Sequence, residues 1–160
     1  MTFSHDLTYD ASPEQVLDML ADPAFREKVC ESVHVVRKDV TVQGHGAGMR
    51  VTVDQTQRAD GVPSFARAVV GDEIRILRRE TWDGSGRAAL SVTIPGKPGT
   101  LDGTVSLAGD AGSTVQSVVG EIRVKVPLVG GRLEGLVADL MHAALRVEEH
   151  VGQGWLRGER

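Results

Sequence analysis

One stretch near the end of the chain limits the folds open to it: PLVGGRLEGLVADLMHAALRVEEHVGQGWL, Pro127 to Leu156. Leu133, Leu136, Val137, Leu140, Met141, Ala144, Val147, Val151 and Trp155 recur at spacings of three and four. This predicts one amphipathic helix over about Leu128–Leu156. Before it, from Val33 to Val126, the sequence reads as strands and turns. A long helix after an antiparallel meander must bury its apolar stripe, and the concave face of a bent sheet can take it. The gap between helix and sheet is where a functional site is expected.

The chain opens with FSHDLTY, in which Phe3, His5, Leu7 and Tyr9 share one face of a predicted strand. Ser12-Pro13-Glu14-Gln15 carries a helix-start signal: a capping serine, proline at the first helical position and glutamine three residues after the cap. Asp22-Pro23 ends that helix and starts a second, over about 23–32. A strand is expected over Val33–Gln43, with a bulge or bend where the alternation changes phase between Val35 and Val36. Further alternating runs cover about 49–58, 73–82, 88–94, 101–107 and 118–126, separated by glycine-rich turns. Residues 64–71 fit either a short strand or an irregular helical turn. In the final helix Gly135, Gly152 and Gly154 each weaken the element by up to ~1 kcal/mol, and the last turn from Gly152 is expected to fray.

Length and charge narrow the function classes. The 160 residues are read as one domain, 1–160, large enough for a substantial core. A net charge of -4 argues against nucleic-acid binding, which favours a basic face. No run approaches the ~18 apolar residues of a membrane span, so stable membrane insertion is not expected. The first residues carry no basic region or apolar signal core, and the single cysteine, Cys30, has no internal partner. Both point to a cytoplasmic location. Arginine clearly outnumbers lysine, which suggests a high-GC bacterial coding bias.

Most motif-like features reduce to structure. Gly44-His45-Gly46-Ala47-Gly48 lies between strands and not between a strand and a helix, so it reads as a turn and not a nucleotide loop. Gly130-Gly131 reads as close passage of the helix over the sheet. The five histidines show no metal-ligand spacing, and no metal or other cofactor is expected. Cys30 reads as packing. Arg78 and Glu80 are different. They alternate with Ile74, Ile76 and Trp82, so a face turned inward would carry a buried Arg–Glu pair beside any ligand. Burial requires such pairing, because a lone buried charge is costly. The candidate cavity is therefore Ile76, Arg78, Glu80 and Trp82, with Leu90 and Val92 from the next strand and Leu133, Val137, Leu140, Met141 and Ala144 from the helix. The helix stripe holds no catalytic group, so polar recognition is expected from the sheet opposite. No catalytic residue is assigned.

The order strand, two short helices, meander and long C-terminal helix resembles the START-like (SRPBCC, helix-grip) superfamily. The residues carrying the resemblance are Ala11-Ser12-Pro13-Glu14-Gln15-Val16, Glu80-Thr81-Trp82 and Val126-Pro127-Leu128-Val129-Gly130-Gly131-Arg132-Leu133-Glu134. The last stretch is most similar to a domain-of-unknown-function family common in high-GC, actinobacterial lineages. The resemblance implies an α+β fold: a curved antiparallel sheet of six to seven strands, two short helices and a long C-terminal helix over a deep apolar cavity. It does not imply one chemistry. The reading that follows is a carrier of a small hydrophobic molecule (a lipid, fatty acid or polyketide-like compound), reached past the short helices and the 60–72 loop. The alternatives are a cyclase or hydratase using the same cavity, and a co-chaperone-like or toxin-like interaction module. Oligomeric state is not legible.

Overall fold

A computed structural model of the chain describes all residues, 1–160. The elements run β1 (Thr2–Tyr9), α1 (Pro13–Leu20), α2 (Pro23–Ser32), β2 (Arg37–Gln43), β3 (Ala47–Arg58), α3 (Ser64–Val70), β4 (Glu73–Asp83), β5 (Arg87–Thr93), β6 (Gly99–Gly109), β7 (Thr114–Val124) and α4 (Gly130–Leu156). The seven strands form one antiparallel curved sheet in the order β1-β7-β6-β5-β4-β3-β2. β1 and β2 are thus its two edges, and the α1–α2 connection carries the chain from one edge to the other. The arrangement is the expected α+β helix-grip.

Local chemistry sets the short helices. Ser12 Oγ accepts from the Gln15 N–H at 3.2 Å while Gln15 Oε1 accepts from the Ser12 N–H at 2.9 Å. This reciprocal cap satisfies two otherwise orphaned donors. Asp22 caps α2 by accepting from the Ala24 N–H at 2.9 Å.

Two sequence expectations change, and one open alternative is resolved. β2 begins at Arg37 and not Val33, because His34 takes a positive φ of 55° and turns the chain out of α2. The phase change at Val35–Val36 marks that turn, so of the bulge and the bend expected there the chain makes the bend. Residues 64–70 form a helix, α3. The last strand stops at Val124, and α4 starts at Gly130 after an irregular 125–129 segment in which Leu128 has a φ of 70°.

At 27 residues α4 is about 40 Å long. It packs chiefly on β1, β7 and α2. The residues pressed against β1 and β7 differ from the predicted stripe. Ala138, Leu145 and Gly152 are buried, with His142 and Glu149 on the same side, while Leu140 is 43% exposed. His142 lies over Phe3 at a ring-centroid distance of 4.6 Å, and its Nδ1 is 2.7 Å from Nδ1 of His5. The Thr8 N–H donates to Glu149 Oε2 at 2.7 Å. The helix therefore carries two adjacent stripes. One, at 138, 142, 145, 149 and 152, grips the β1–β7 edge. The other, at 133, 137, 140, 141, 144 and 148, looks towards the middle of the sheet.

The last turn does not fray. Gly152 and Gly154 are buried and helical, and Trp155 packs edge-on to Phe25 at 5.6 Å. At Gly152 the reason for glycine is space: a Cβ there would lie 2.6 Å from Tyr9 Cε1 and 3.1 Å from Met19 Cε. Tyr9 is itself 1% exposed and cannot retreat. A Cβ at Gly135 meets nothing within 4 Å.

These two glycines separate propensity from packing. Gly135→Ala is expected to stabilise the protein by up to ~1 kcal/mol, the helix-propensity gain. Gly152→Ala is expected to destabilise it by about 1–3 kcal/mol through overpacking. Opposite shifts of the denaturation midpoint would establish the close approach. Two shifts in the same direction would refute it.

The histidine pair gives a pH dependence. Burial holds the His5 pKa below 6.5, and the neighbouring His142 and Arg146 lower it further, against opposing pulls from Glu149 and Asp6. The unfolded chain then takes up a proton at a higher pH than the folded one. Stability is lost as pH falls through about 6.5 and levels off below the folded-state pKa. Thermal melts between pH 7.5 and 5 are expected to show a steeper decline for the wild type than for His5→Phe, and parallel declines would rule this out.

Candidate functional site

Because α4 leans on one edge of the sheet, space remains between its second stripe and the central strands. The resulting cleft encloses about 200 Å³ and is lined by 30 residues, 21 of them hydrophobic. Its sheet side includes Val53 of β3, Ile74, Ile76 and Arg78 of β4, Val92 of β5 and Leu101 of β6. Its helix side is Leu133, Leu136, Val137, Leu140, Met141, Ala144, Leu145 and Glu148. Val29 and Cys30 of α2 and Ala66, Val69 and Val70 of α3 form the ends. The Arg132 guanidinium sits 4.2 Å above the ring of Phe65, so the start of α4 touches α3.

The floor of the cleft is polar: Arg26, Arg78 and Glu148 line it, and Glu80 lies behind Arg26. Arg26 of α2 makes a two-pronged contact with Glu80 of β4, donating from Nη1 to Oε2 at 3.0 Å and from Nη2 to Oε1 at 2.8 Å. Its Nε donates to the Leu20 carbonyl at 2.8 Å, and Trp82 Nε1 donates to Glu80 Oε1 at 3.1 Å. Arg78 Nε lies 2.7 Å from Glu80 Oε2, but its N–H is poorly aimed, so the contact is ionic and leaves that hydrogen unused. Arg78 Nη1 donates to Glu148 Oε1 of α4 at 3.0 Å, and Gln116 Nε2 of β7 donates to Glu148 Oε2 at 3.2 Å. Arg26, Glu80 and Glu148 are each at most 3% exposed.

Electrostatics follow from this geometry. Burial alone would raise the Glu80 pKa. The charges of Arg26 and Arg78, with the hydrogen bonds from Arg26 and Trp82, outweigh it and hold the group down to about 2. Burial pulls the Arg78 pKa down, but Glu80 and Glu148 overcome it and keep the guanidinium charged. Burial pushes the Cys30 thiol up, and its S–H donates to Gln55 Oε1 at 3.2 Å, which makes it a packed thiol and not a nucleophile. Tyr9 is raised by burial, then by Glu148 and Glu149. No group of three His, Cys, Asp or Glu side chains converges to hold a metal. A permanently charged, matched cluster is suited to orienting a polar atom; Glu80 cannot serve as a general acid near neutral pH.

Among the residues singled out from sequence, Ile76, Arg78, Val92, Leu133, Val137, Leu140, Met141 and Ala144 line the cleft. Glu80, Trp82 and Leu90 do not. They share the inward face, but Arg26 lies across Glu80 and shuts that end of the space, leaving Trp82 and Leu90 in the core. The helix also proves to be a source of polar chemistry, since Glu148 comes from α4. Its spacing between Leu145 and Val151 was the available signal: a carboxylate on an otherwise apolar stripe. Arg26 had no such mark, because the pattern of α2 alone does not say which flank turns inward.

Removing one member of a matched buried set leaves the other uncompensated. Glu80→Gln is expected to cost about 3–5 kcal/mol in chemical denaturation. Loss of the Glu80 contribution in the wild type begins as pH falls through 4.5 and is complete below about 2, because its folded pKa is depressed. A Glu80→Gln protein as stable as wild type at pH 7 would contradict the cluster described.

Comparison with known proteins agrees with this architecture. Residues 4–156 match the family described as "Protein of unknown function (DUF2505)". An uncharacterized protein of Mycobacterium tuberculosis (strain ATCC 25618 / H37Rv) is 24% identical over 119 residues, covering 71% of this chain and 68% of that protein. The fold resembles TTHA0849 from Thermus thermophilus, with TM-score 0.65, 19% identity and coverage of 95% of this chain and 97% of that one. It also resembles norcoclaurine synthase from Thalictrum flavum, solved in complex with dopamine and hydroxybenzaldehyde. There the TM-score is 0.60, the identity 17% and the coverage 98% and 87%. A START superfamily protein from Mycobacterium smegmatis aligns with TM-score 0.56, 14% identity and coverage of 95% and 97%. The chain belongs to the DUF2505 family, on a START-like fold.

Proposed function

We propose that the protein binds and carries a small, mainly apolar molecule in the cleft between α4 and the sheet. The observation that carries this reading is the combination of about 200 Å³ of space, a lining dominated by aliphatic side chains and a polar floor at one end. Apolar ligand surface transferred there leaves water at about 25 cal/mol per Å². Met141 and the small Ala144 on the helix wall leave room for adjustment. A START-like neighbour holding two small molecules is consistent with the reading. An interaction module with a filled core would have no use for such a space, so the cleft favours binding over that alternative. A cytoplasmic setting belongs to the same proposal and rests on the single, buried Cys30 thiol.

Gentle native mass spectrometry of protein purified from its own organism is expected to show a retained small molecule. Nile red, a neutral apolar dye, is expected to bind the emptied protein. Val137→Trp, which puts bulk into the cleft from the helix side, is expected to weaken dye binding at least about tenfold with little change in melting temperature, since the new ring fills space and not packed core. Absence of both a co-purifying molecule and dye binding would overturn the carrier reading.

A further inference from the structure

The polar floor points to the kind of ligand the cleft takes, and this step rests on the carrier reading above. Arg78 lines the cleft, yet two of its guanidinium nitrogens are without a hydrogen-bond acceptor. Nε faces Glu80 off-axis, and Nη2 has no partner; both are buried. A buried donor left unmade is costly, so an acceptor that reaches it recovers that cost. The charges around it are already balanced, two of each sign: Arg26 pairs with Glu80, and Arg78 with Glu148 and Glu80. No further cation lies among the floor residues. Lys97 also lines the cleft, but from the β5–β6 turn.

Two classes of oxygen could meet the Arg78 guanidinium from the cleft. A carboxylate would bring a third negative charge into a set holding two of each sign, and one buried charge would be left uncompensated. A ketone, ester or hydroxyl oxygen would accept the hydrogen bond and leave the charge balance unchanged. We propose that the cleft selects apolar molecules bearing a neutral oxygen acceptor, docked on the Arg78 guanidinium, over free fatty acids of the same length. The aliphatic lining takes the hydrocarbon body, and the guanidinium fixes which end lies deepest.

Isothermal titration of the emptied wild-type protein at pH 7.5 with octan-2-one, octanoate and n-octane tests this. The ketone is expected to bind at least tenfold tighter than either of the other two. The double variant Arg78→Met/Glu148→Gln removes one charge of each sign and leaves the Arg26–Glu80 pair balanced, so it is chosen to fold; circular dichroism checks that it does. In it the ketone and the alkane are expected to bind with equal affinity. Octanoate binding as tightly as the ketone to wild type, or a ketone preference that survives in the double variant, would overturn the selection while leaving the carrier reading in place. Failure of all three probes, with no Nile red binding, would overturn the carrier reading itself. Should the double variant not fold, Arg78→Lys replaces it. That variant keeps the charge but loses the planar fork, and the ketone preference is expected to shrink at least threefold; an unchanged preference overturns the proposal.

Discussion

Two guanidinium groups and two carboxylates, buried where α2, β4 and α4 meet, set how the molecule can pack. Alone, each would cost several kcal/mol to take out of water. Together they are acceptable only if all three elements stand in one relation. A slip of α4 by one residue would swing Glu148 through about 100° and leave Arg78 facing aliphatic side chains. Hydrophobic burial tolerates small shifts; a matched set of buried charges does not. The cluster thus fixes the register of the helix over the sheet, and the two stripes of α4 follow from that register.

Those stripes divide the work of one helix. The edge stripe is tight, with Gly152 against Tyr9 and the His5–His142 contact admitting no extra atom. The second stripe stands off the central strands and carries the larger, more adaptable side chains. A helix centred over the sheet would fill the concave face. Anchoring it at the β1–β7 edge leaves the middle of the sheet partly uncovered, and α3 with the start of α4 flanks what remains, joined through Phe65 and Arg132.

Much of this was legible from residue periods. The alternation in β1 and β3 to β7, the Ser12–Gln15 cap and the spacing along α4 report directly on which side chains face inward, because burial on one face imposes a period of two or 3.6. What escaped were relations between elements. Nothing local marks Arg26 as the partner of Glu80, since they are 54 residues apart and only the crossing of α2 over β4 joins them. The offset of α4 was illegible for the same reason: its apolar residues span both stripes, and the sequence does not say which would be pressed onto β1. Glycine in α4 misled in the opposite direction, because propensity weighs Gly152 as a weakness when its missing side chain is what admits Tyr9.

The pairing of β1 with β7 has a consequence for the order of assembly. Its register runs from Thr2↔Glu121 to Tyr9↔Thr114, joining stretches more than 100 residues apart. The pairings from β2 to β6 close much shorter loops, the longest being the α3 connection between β3 and β4, and can form as soon as they are made. β1 has no partner strand until β7 exists, and the entropy of closing so long a loop falls on that one step. On a ribosome, β1 emerges well before β7 and is thus among the last segments to be placed. Until Thr114–Val124 has left the exit tunnel, Phe3, Leu7 and Tyr9 remain unburied, and the nascent chain is most open to chaperone capture or to pairing with the wrong edge.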